Sequence, residues 1–95
     1  MFKKVVINRC FGGFSLSKAA YDYLGLDWDG YGFAYREEEC RTAPELVRCV
    51  EELGSSVASG ELAQLKVVEI PYDVQWYIEE YDGVEWITEL HRVWD

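Results

Sequence analysis

The stretch from Val5 to Ser17 combines residue types that can hold an anion. A β-branched run ends at Arg9, and Gly12 and Gly13 follow it before a serine-rich helix start. Glycines let backbone N–H groups approach a ligand, helix N-termini carry a partial positive charge, and arginine offers a planar set of donors. The pattern predicts a strand, a tight turn and a helix start that could together bind a phosphate group.

Two phenylalanines beside the glycines extend this prediction to a phosphorylated compound that carries a flat ring. Phe11 and Phe14 could stack on such a ring while the turn and the helix start take the phosphate. The predicted ligand-binding residues are Arg9, Phe11, Gly12, Gly13, Phe14 and Ser15. The segment lacks the G-K-[S/T] of a nucleotide-hydrolysing loop and the G-x-G-x-x-G of a dinucleotide site. The alternative is a tight turn whose phenylalanines join the core and which binds nothing.

A second candidate surface combines aromatic and acidic residues and suits a protein partner. The loop from Asp27 to Tyr35 interleaves aromatic side chains with aspartates and glycines, and aromatic loops of this kind are typical of recognition surfaces. A predicted hairpin adds carboxylates that could face a basic surface. The predicted partner-binding residues are Trp28, Tyr31, Tyr35, Glu79, Glu80, Asp82 and Glu85. Partial cover of the core and a solvated acidic face are the alternatives.

Residues suited to catalysis or metal binding are scarce. Cys10, Cys40 and Cys49 are odd in number and lack zinc-site spacing, which indicates reduced thiols. His91 is the sole histidine, so a nucleophile and base could form only if Cys10 and His91 met across the fold. The carboxylates lack calcium-loop spacing. We therefore expect no enzyme activity, no cofactor and no metal, with a small hydrolase as the weakest alternative.

Composition and charge narrow the classes of partner. The 95 residues carry a net charge of −9 and are 49% hydrophobic, which predicts one folded domain over residues 1–95. This charge disfavours generic binding to nucleic acid or to a membrane and favours a basic protein, although a local pocket could hold a small anion. The chain has no signal-peptide pattern and no apolar run long enough to span a membrane, so we expect a cytoplasmic protein.

The elements that position these residues predict an α+β domain. We expect a mostly antiparallel sheet of about four strands with two helices packed on one face. The first strand is continuously apolar, which indicates a central position with both faces buried. The predicted strands cover residues 4–9, 65–70, 74–81 and 84–90. Residues 84–94 also fit one face of a helix, so strand and helix both stay open there.

Local signals set the ends of these elements. Ser15 or Ser17 should cap the first helix, and Thr42 with Glu45 has the spacing of a capping box for the second. Asp82-Gly83 is a typical hairpin turn. Its register places two isoleucines opposite each other, which is favourable, and also two glutamates, which is not. Exposed hairpin edges would permit a homo-oligomer extended through the sheet.

Parts of the chain carry a likeness to known proteins. They are the segments Val5–Ser17, Leu65–Pro71, Ile78–Gly83 and His91–Trp94. Together these segments resemble a group of small uncharacterised proteins encoded by tailed phages and prophages. The resemblance implies a phage accessory protein that counteracts host defence in the host cytoplasm, and it carries over no catalytic residue. Two functions stay open: sequestering a small phosphorylated, nucleotide-like signal, and blocking a basic surface of a host defence protein.

Overall fold

The computed structural model describes residues 2–89, which form an α+β fold. In chain order the elements are β1 (Phe2–Asn8), α1 (Lys18–Leu24), a 3-10 turn (Glu38–Cys40), α2 (Pro44–Leu53), α3 (Ser55–Ala58), β2 (Leu65–Pro71), β3 (Trp76–Tyr81) and β4 (Val84–Glu89). Within this part of the chain, none of the helices has the length and apolar character needed to cross a membrane.

The strands form two antiparallel two-stranded sheets rather than the single four-stranded sheet that the sequence predicted. β1 pairs with β2 over its whole length, with Asn8 opposite Leu65. β3 and β4 form the predicted hairpin, with Ile78 opposite Ile87. The two sheets stay separate because polar groups from β4 and from the residue after the 3-10 turn bind the edge of β1 that faces away from β2.

β1 lies between two hydrophobic clusters and is buried on both faces, as its continuous apolar run predicted. It pairs with one strand only, so the predicted central position in a sheet is wrong. Val6 belongs to the larger cluster, which side chains from all three α-helices and β2 complete. Val5 and Ile7 belong to a smaller cluster, against which Ile78 and Ile87 of the hairpin pack. Because side chains alternate along a strand, the β1–β2 ribbon separates a helical layer from a hairpin layer. The hairpin thus covers a face of the ribbon instead of extending it.

The start of α1 is set by Ser17, one of the two serines that the sequence proposed. Its hydroxyl accepts the backbone N–H of Ala20 at 3.1 Å and donates to the Val57 carbonyl at 2.5 Å. Just before it, Leu16 forms an isolated β-bridge with Ser59. The chain therefore passes alongside the α3 region before it enters α1, and the glycine turn does not lead directly into a helix.

The second predicted helix begins at Pro44 and stops before Gly54, as its sequence pattern indicated, but it lacks the predicted cap. α2 begins at Pro44, but no side chain caps it, so the predicted capping box of Thr42 and Glu45 is wrong. Glu45 instead accepts a hydrogen bond from the Tyr35 hydroxyl at 2.9 Å. The helix ends at Leu53, and the short helix α3 follows after one residue in a segment that the sequence pattern left without structure.

The hairpin confirms the strand interpretation for residues 84–89. Asp82 and Gly83 both have positive φ, 55° and 91°, which gives a turn whose twist matches that of the two strands. Glu80 lies opposite Glu85, as the predicted register required. Residue 90, the last of that predicted strand, lies outside the described residues, as do residues 91–94 with His91.

Candidate functional site

The Gly12–Gly13 turn packs closely against two other segments. A Cβ on Gly12 would collide with the carbonyl group of Leu62, and a Cβ on Gly83 of the hairpin would collide with the backbone of the glycine turn. Gly13 donates its N–H to the Cys10 carbonyl at 3.3 Å, which closes the turn on itself. Because glycine has no side chain, these three segments of chain can pack together. The sequence had left this structural role open as the alternative to ligand binding.

Asn8, at the end of β1, is fully buried, and its side chain hydrogen-bonds to the same segments. Its side-chain amide donates to the carbonyls of Cys10 and Gly83 at 2.6 and 2.7 Å. Its Oδ1 atom accepts the backbone N–H of Gln64 at 2.8 Å. A buried side-chain amide that makes these hydrogen bonds holds the surrounding backbone in place. Asn8 was not among the predicted site residues, although a polar residue that ends a buried apolar run is a signal for such a role.

A buried ion pair joins Arg41 to Glu85 beside β1. Both guanidinium Nη atoms contact the carboxylate, at 2.6 and 2.8 Å, and the two residues are only 3% and 6% exposed. Arg41 also donates to the carbonyls of Val6 and Arg36, at 3.2 and 3.0 Å. Glu85 accepts the Asn8 backbone N–H at 2.8 Å. The pair therefore combines bidentate geometry with hydrogen bonds to the surrounding backbone, which a buried pair needs to offset desolvation.

This ion pair takes the place of a neighbouring strand for β1. In an antiparallel pair, alternate residues direct their N–H and C=O groups to the partner strand, and those of Val6 and Asn8 point away from β2. Val6 donates its N–H to the Arg41 carbonyl at 2.9 Å, and the two ionic side chains take the Val6 carbonyl and the Asn8 N–H. β4 thus lies beside β1 without pairing with it, which is the physical reason for two sheets.

Two of the predicted ligand-binding residues contact Arg41 or Glu85 of this buried pair. Phe14 is buried, and the Arg41 guanidinium lies 3.8 Å from the centroid of its ring. Arg9 reaches across to β4, where its Nη1 donates to the Glu85 carbonyl at 2.7 Å. The ring and the guanidinium that were expected to hold a ligand therefore contribute to the contact between β1 and β4.

The predicted ligand contacts beside the glycines also include Phe11 and Ser15. Phe11 is exposed, with 74% of its surface open to solvent. Ser15 is half-buried, and its carbonyl accepts the N–H of Gly60 at 3.0 Å. α1 begins only at Lys18, so the turn does not supply the helix N-terminus that the anion-binding hypothesis assumed.

A cleft of about 320 Å³ opens beside the glycine turn, between the 3-10 turn and the hairpin. Its walls are formed by Gly13, Phe14, Arg36, Glu38, Arg41, Ile78, Glu80, Gly83 and Glu85. Glu85 neutralises the charge of Arg41. The other charged residues that line the cleft are Arg36, Glu38 and Glu80. Both of these carboxylates accept backbone N–H groups of the hairpin, at 2.7 and 2.6 Å. The cleft therefore holds more negative than positive charge.

The aromatic loop is fixed from within by Asp29. The carboxylate accepts the Tyr21 hydroxyl at 2.8 Å and the backbone N–H groups of Tyr31 and Gly32 at 2.7 Å each. The Tyr21 hydroxyl in turn accepts the N–H of Ala34 at 2.9 Å. The hydrogen bonds from the Gly32 and Tyr31 backbone lower the pKa of Asp29 from 3.8 to about 2. A charged carboxylate thus ties the loop to the buried side of α1.

The same loop presents aromatic side chains to solvent. Tyr31 is 71% exposed and stacks on Phe33 with 5.7 Å between ring centroids. Arg36 lies 4.8 Å from the centroid of Phe33. Trp28 contacts the ring of Tyr21 edge-on, with 5.0 Å between ring centroids, and is exposed. Tyr35 differs from the other predicted contacts, because it is half-buried and packs against the larger core cluster.

The predicted hairpin carboxylates divide between the surface and the interior. Glu80 and Asp82 are exposed, and Glu79 is half-buried. Glu85 is buried in its ion pair, so it does not belong to the partner-facing surface on which it was predicted. The unfavourable pairing of Glu80 with Glu85 was the available signal, since one of two facing glutamates needs a partner elsewhere.

The cysteines form no disulfide. Cys10 and Cys40 are half-buried and Cys49 is buried. Burial raises the pKa of the Cys49 thiol, which favours its neutral form. Within residues 2–89, no group of three or more His, Cys, Asp or Glu side chains is placed to hold a metal ion. His91 lies outside the described residues, so the disfavoured pairing of Cys10 with His91 lies outside them too.

Comparisons of the chain with protein-family models, curated proteins and solved structures give no match. The surfaces of this chain are therefore the guide to its function, above all those where aromatic and acidic side chains lie together.

Proposed function

We propose that this protein is a non-enzymatic binding protein that docks on a basic surface of a partner protein. The observation that carries the proposal is the aromatic loop, in which Tyr31 and Trp28 project into solvent from a backbone that Asp29 holds in place. Aromatic side chains on a fixed backbone lose little conformational freedom on binding and are typical anchors of protein interfaces.

The charge distribution supports a basic partner. The chain has a net charge of −9. Asp27, Glu37 and Glu39 are exposed close to the aromatic loop in sequence, and Glu80 and Asp82 are exposed on the hairpin. A basic partner would be steered towards this surface, and its charges would match the acidic side chains around the aromatic anchors.

The resemblance to phage and prophage proteins extends the proposal to the kind of partner. A phage accessory protein meets its target in the infected cell, so the partner would be a host defence protein whose basic surface this chain blocks. This step rests on the resemblance alone. Its test uses the same experiment, carried out in a bacterial extract.

Affinity capture from a bacterial lysate tests the proposal. The immobilised protein should retain a partner at about 50 mM salt and lose most of it at about 500 mM, because salt screens exposed charges. Tyr31→Ser should reduce retention, whereas Tyr23→Ser, which alters an exposed tyrosine on α1, should not. Chemical cross-links to the retained partner should fall in segments rich in lysine and arginine.

Two results would contradict the proposal. One is a lysate from which nothing is retained at low salt. The other is retention that is the same at low and high salt and falls equally in Tyr31→Ser and Tyr23→Ser, since that pattern indicates non-specific adhesion. Circular dichroism of both variants checks that each keeps its fold, so that a loss of retention reports on the surface.

A small phosphorylated ligand is a second candidate, favoured by one feature of the cleft. Arg36 lines it beside the backbone of Gly13, and a guanidinium group can bind a phosphate in a bidentate manner. Glu38 and Glu80 at the same cleft would repel the ligand, which predicts weak binding unless a flat ring adds stacking.

Thermal unfolding in the presence of linear and cyclic nucleotides tests this candidate. A ligand that binds the folded state alone raises the melting temperature. Arg36→Ala should abolish the rise, and Arg48→Ala, which removes an exposed arginine from α2, should leave it intact. No rise with any nucleotide excludes the candidate.

A further inference from the structure

The outer face of the hairpin is aromatic, whereas its inner face supplies the side chains that pack against the smaller core cluster. Ile78 and Ile87 face inward against β1. Alternation along the two strands places the outward side chains on the opposite face. These are Tyr77, Glu79 and Tyr81 of β3 and Val84, Trp86 and Thr88 of β4. None of them belongs to either core cluster.

Glu79 lies at the centre of this outer face. It is directly opposite Trp86, and Tyr77 and Tyr81 are its neighbours on the same face of its own strand. The Tyr77 hydroxyl donates to Glu79 Oε1 at 2.7 Å. Tyr81 and Trp86 are both exposed. A carboxylate is thus surrounded on its own face by aromatic rings, and its hydrogen-bond partner is a neutral group.

The chemistry of this face is complementary to a cation. Aromatic rings attract guanidinium and ammonium groups through their faces, and a carboxylate adds an ion pair. The hairpin contains the carboxylates of Glu79, Glu80, Asp82, Glu85 and Glu89 and no lysine or arginine. The field around Glu79 therefore favours a positive group supplied from outside the hairpin.

Other aromatic groups of this protein already hold a cation from the chain itself. Lys3 Nζ lies 5.8 and 5.5 Å from the ring centroids of Tyr72 and Trp76. The guanidinium of Arg36 lies over Phe33. Among residues 2–89, no lysine or arginine lies over Tyr77, Tyr81 or Trp86. The outer hairpin face is therefore an aromatic surface for which residues 2–89 provide no cation.

We propose that the outer hairpin face binds an arginine or lysine side chain of a basic protein partner, with Glu79 as the ion-pair acceptor and Trp86 as the aromatic platform. The inference rests on the proposed binding of a basic protein and names the side-chain chemistry that is recognised. Arginine is the better fit, because its planar guanidinium can stack on the indole while its N–H groups reach the carboxylate.

A titration with a blocked peptide tests the site. The probe is the acetylated and amidated pentapeptide Gly-Ser-Arg-Ser-Gly, added to the ¹⁵N-labelled full chain, and the control peptide has glutamine in place of arginine. The indole N–H signal of Trp86 should shift and saturate with the arginine peptide and stay still with the glutamine peptide. Backbone signals of Tyr77 and Thr88 provide a second readout of the same face.

Matched variants locate the contact. Glu79→Gln should weaken binding about fivefold, since it removes the ion pair and keeps the shape of the side chain. Glu89→Gln removes the same charge from an exposed position opposite Trp76, on the inner face of the hairpin, and should change the affinity by less than about twofold. Trp86→Leu should abolish the shifts at Tyr77 and Thr88.

The outcomes separate this inference from the proposed function. Equal shifts with both peptides, or equal weakening by Glu79→Gln and Glu89→Gln, would overturn the site. Peptide binding that emerges only in an Arg92→Gln variant would assign the face to the chain's own arginine and would also overturn it. If the peptide fails to bind while capture that depends on Tyr31 persists, the hairpin site falls and the proposed function stands. If both fail, both are wrong.

Discussion

Glu85→Gln should destabilise the protein by about 3 kcal/mol, because it leaves the Arg41 charge buried beside a neutral group. Removing one partner of a buried ion pair costs about 3–5 kcal/mol. The lower figure applies because the glutamine oxygen can still accept the Asn8 N–H and one N–H of Arg41, while its amide group faces the second Arg41 donor. A folded chain of 95 residues has a total stability of about 5–14 kcal/mol, so the loss is a large part of it.

Glu80→Gln is the matched control, because Glu80 is the cross-strand partner of Glu85 and is exposed. It should change the stability by no more than about 0.5 kcal/mol. In urea, with a slope of about 1.5 kcal/mol per molar, the unfolding midpoint of Glu85→Gln should fall by about 2 M with the slope unchanged. Far-ultraviolet circular dichroism measures both midpoints.

A double-variant cycle isolates the interaction from other effects of each change. Arg41→Gln with Glu85→Gln should be less destabilised than the sum of the two single variants by about 2 kcal/mol, since the two groups contact each other directly. Additive effects, or equal midpoints for Glu85→Gln and Glu80→Gln, would refute the reasoning that the pair replaces a strand neighbour for β1.

Further predictions concern the loop, the turns and the first helix. Hydrogen bonding lowers the pKa of Asp29, so the loop is fully stabilised above the ordinary pKa of 3.8 and loses that stabilisation as the pH falls through about 2. Trp28 fluorescence should change in this range, and the change should be absent in Asp29→Asn. Gly83→Ala should cost about 2–3 kcal/mol, because φ is positive and a neighbouring turn occupies the space, whereas Gly30→Ala, with positive φ and open space, should cost about 1 kcal/mol by urea midpoints. Ser17→Ala should cost about 1 kcal/mol in thermal unfolding, through loss of the helix cap.

The sequence predicted those elements whose signals are local. The dipeptide Asp82-Gly83 defined both the hairpin turn and the register that places Ile78 opposite Ile87. The uninterrupted apolar run of β1 predicted burial on both faces, and its alternating side chains do enter two clusters. These features depend on neighbours within a few positions, which a pattern can express.

The arrangement of the sheets depends on groups that are distant in sequence. Arg41 and Glu85 are 44 positions apart, and no periodicity indicates that they meet at the edge of β1. Without that contact, four strands imply one sheet, and this expectation was wrong. Arg9 and Phe14 were predicted to hold a ligand but contact the buried pair, because residue type indicates what a side chain can bind and not which partner the fold brings to it.

The Asn8–Glu85 hydrogen bond has a consequence for synthesis on the ribosome, because it joins residues 77 positions apart. At about 5–20 residues per second, β1 is complete roughly 4–15 seconds before Glu85 is added. During that interval the backbone N–H of Asn8 lacks the partner that it has in the finished fold, and a bare strand edge can pair with another chain. The nascent protein therefore has a period in which a chaperone or dilution must protect β1, and its yield should depend on expression rate more than its final stability suggests.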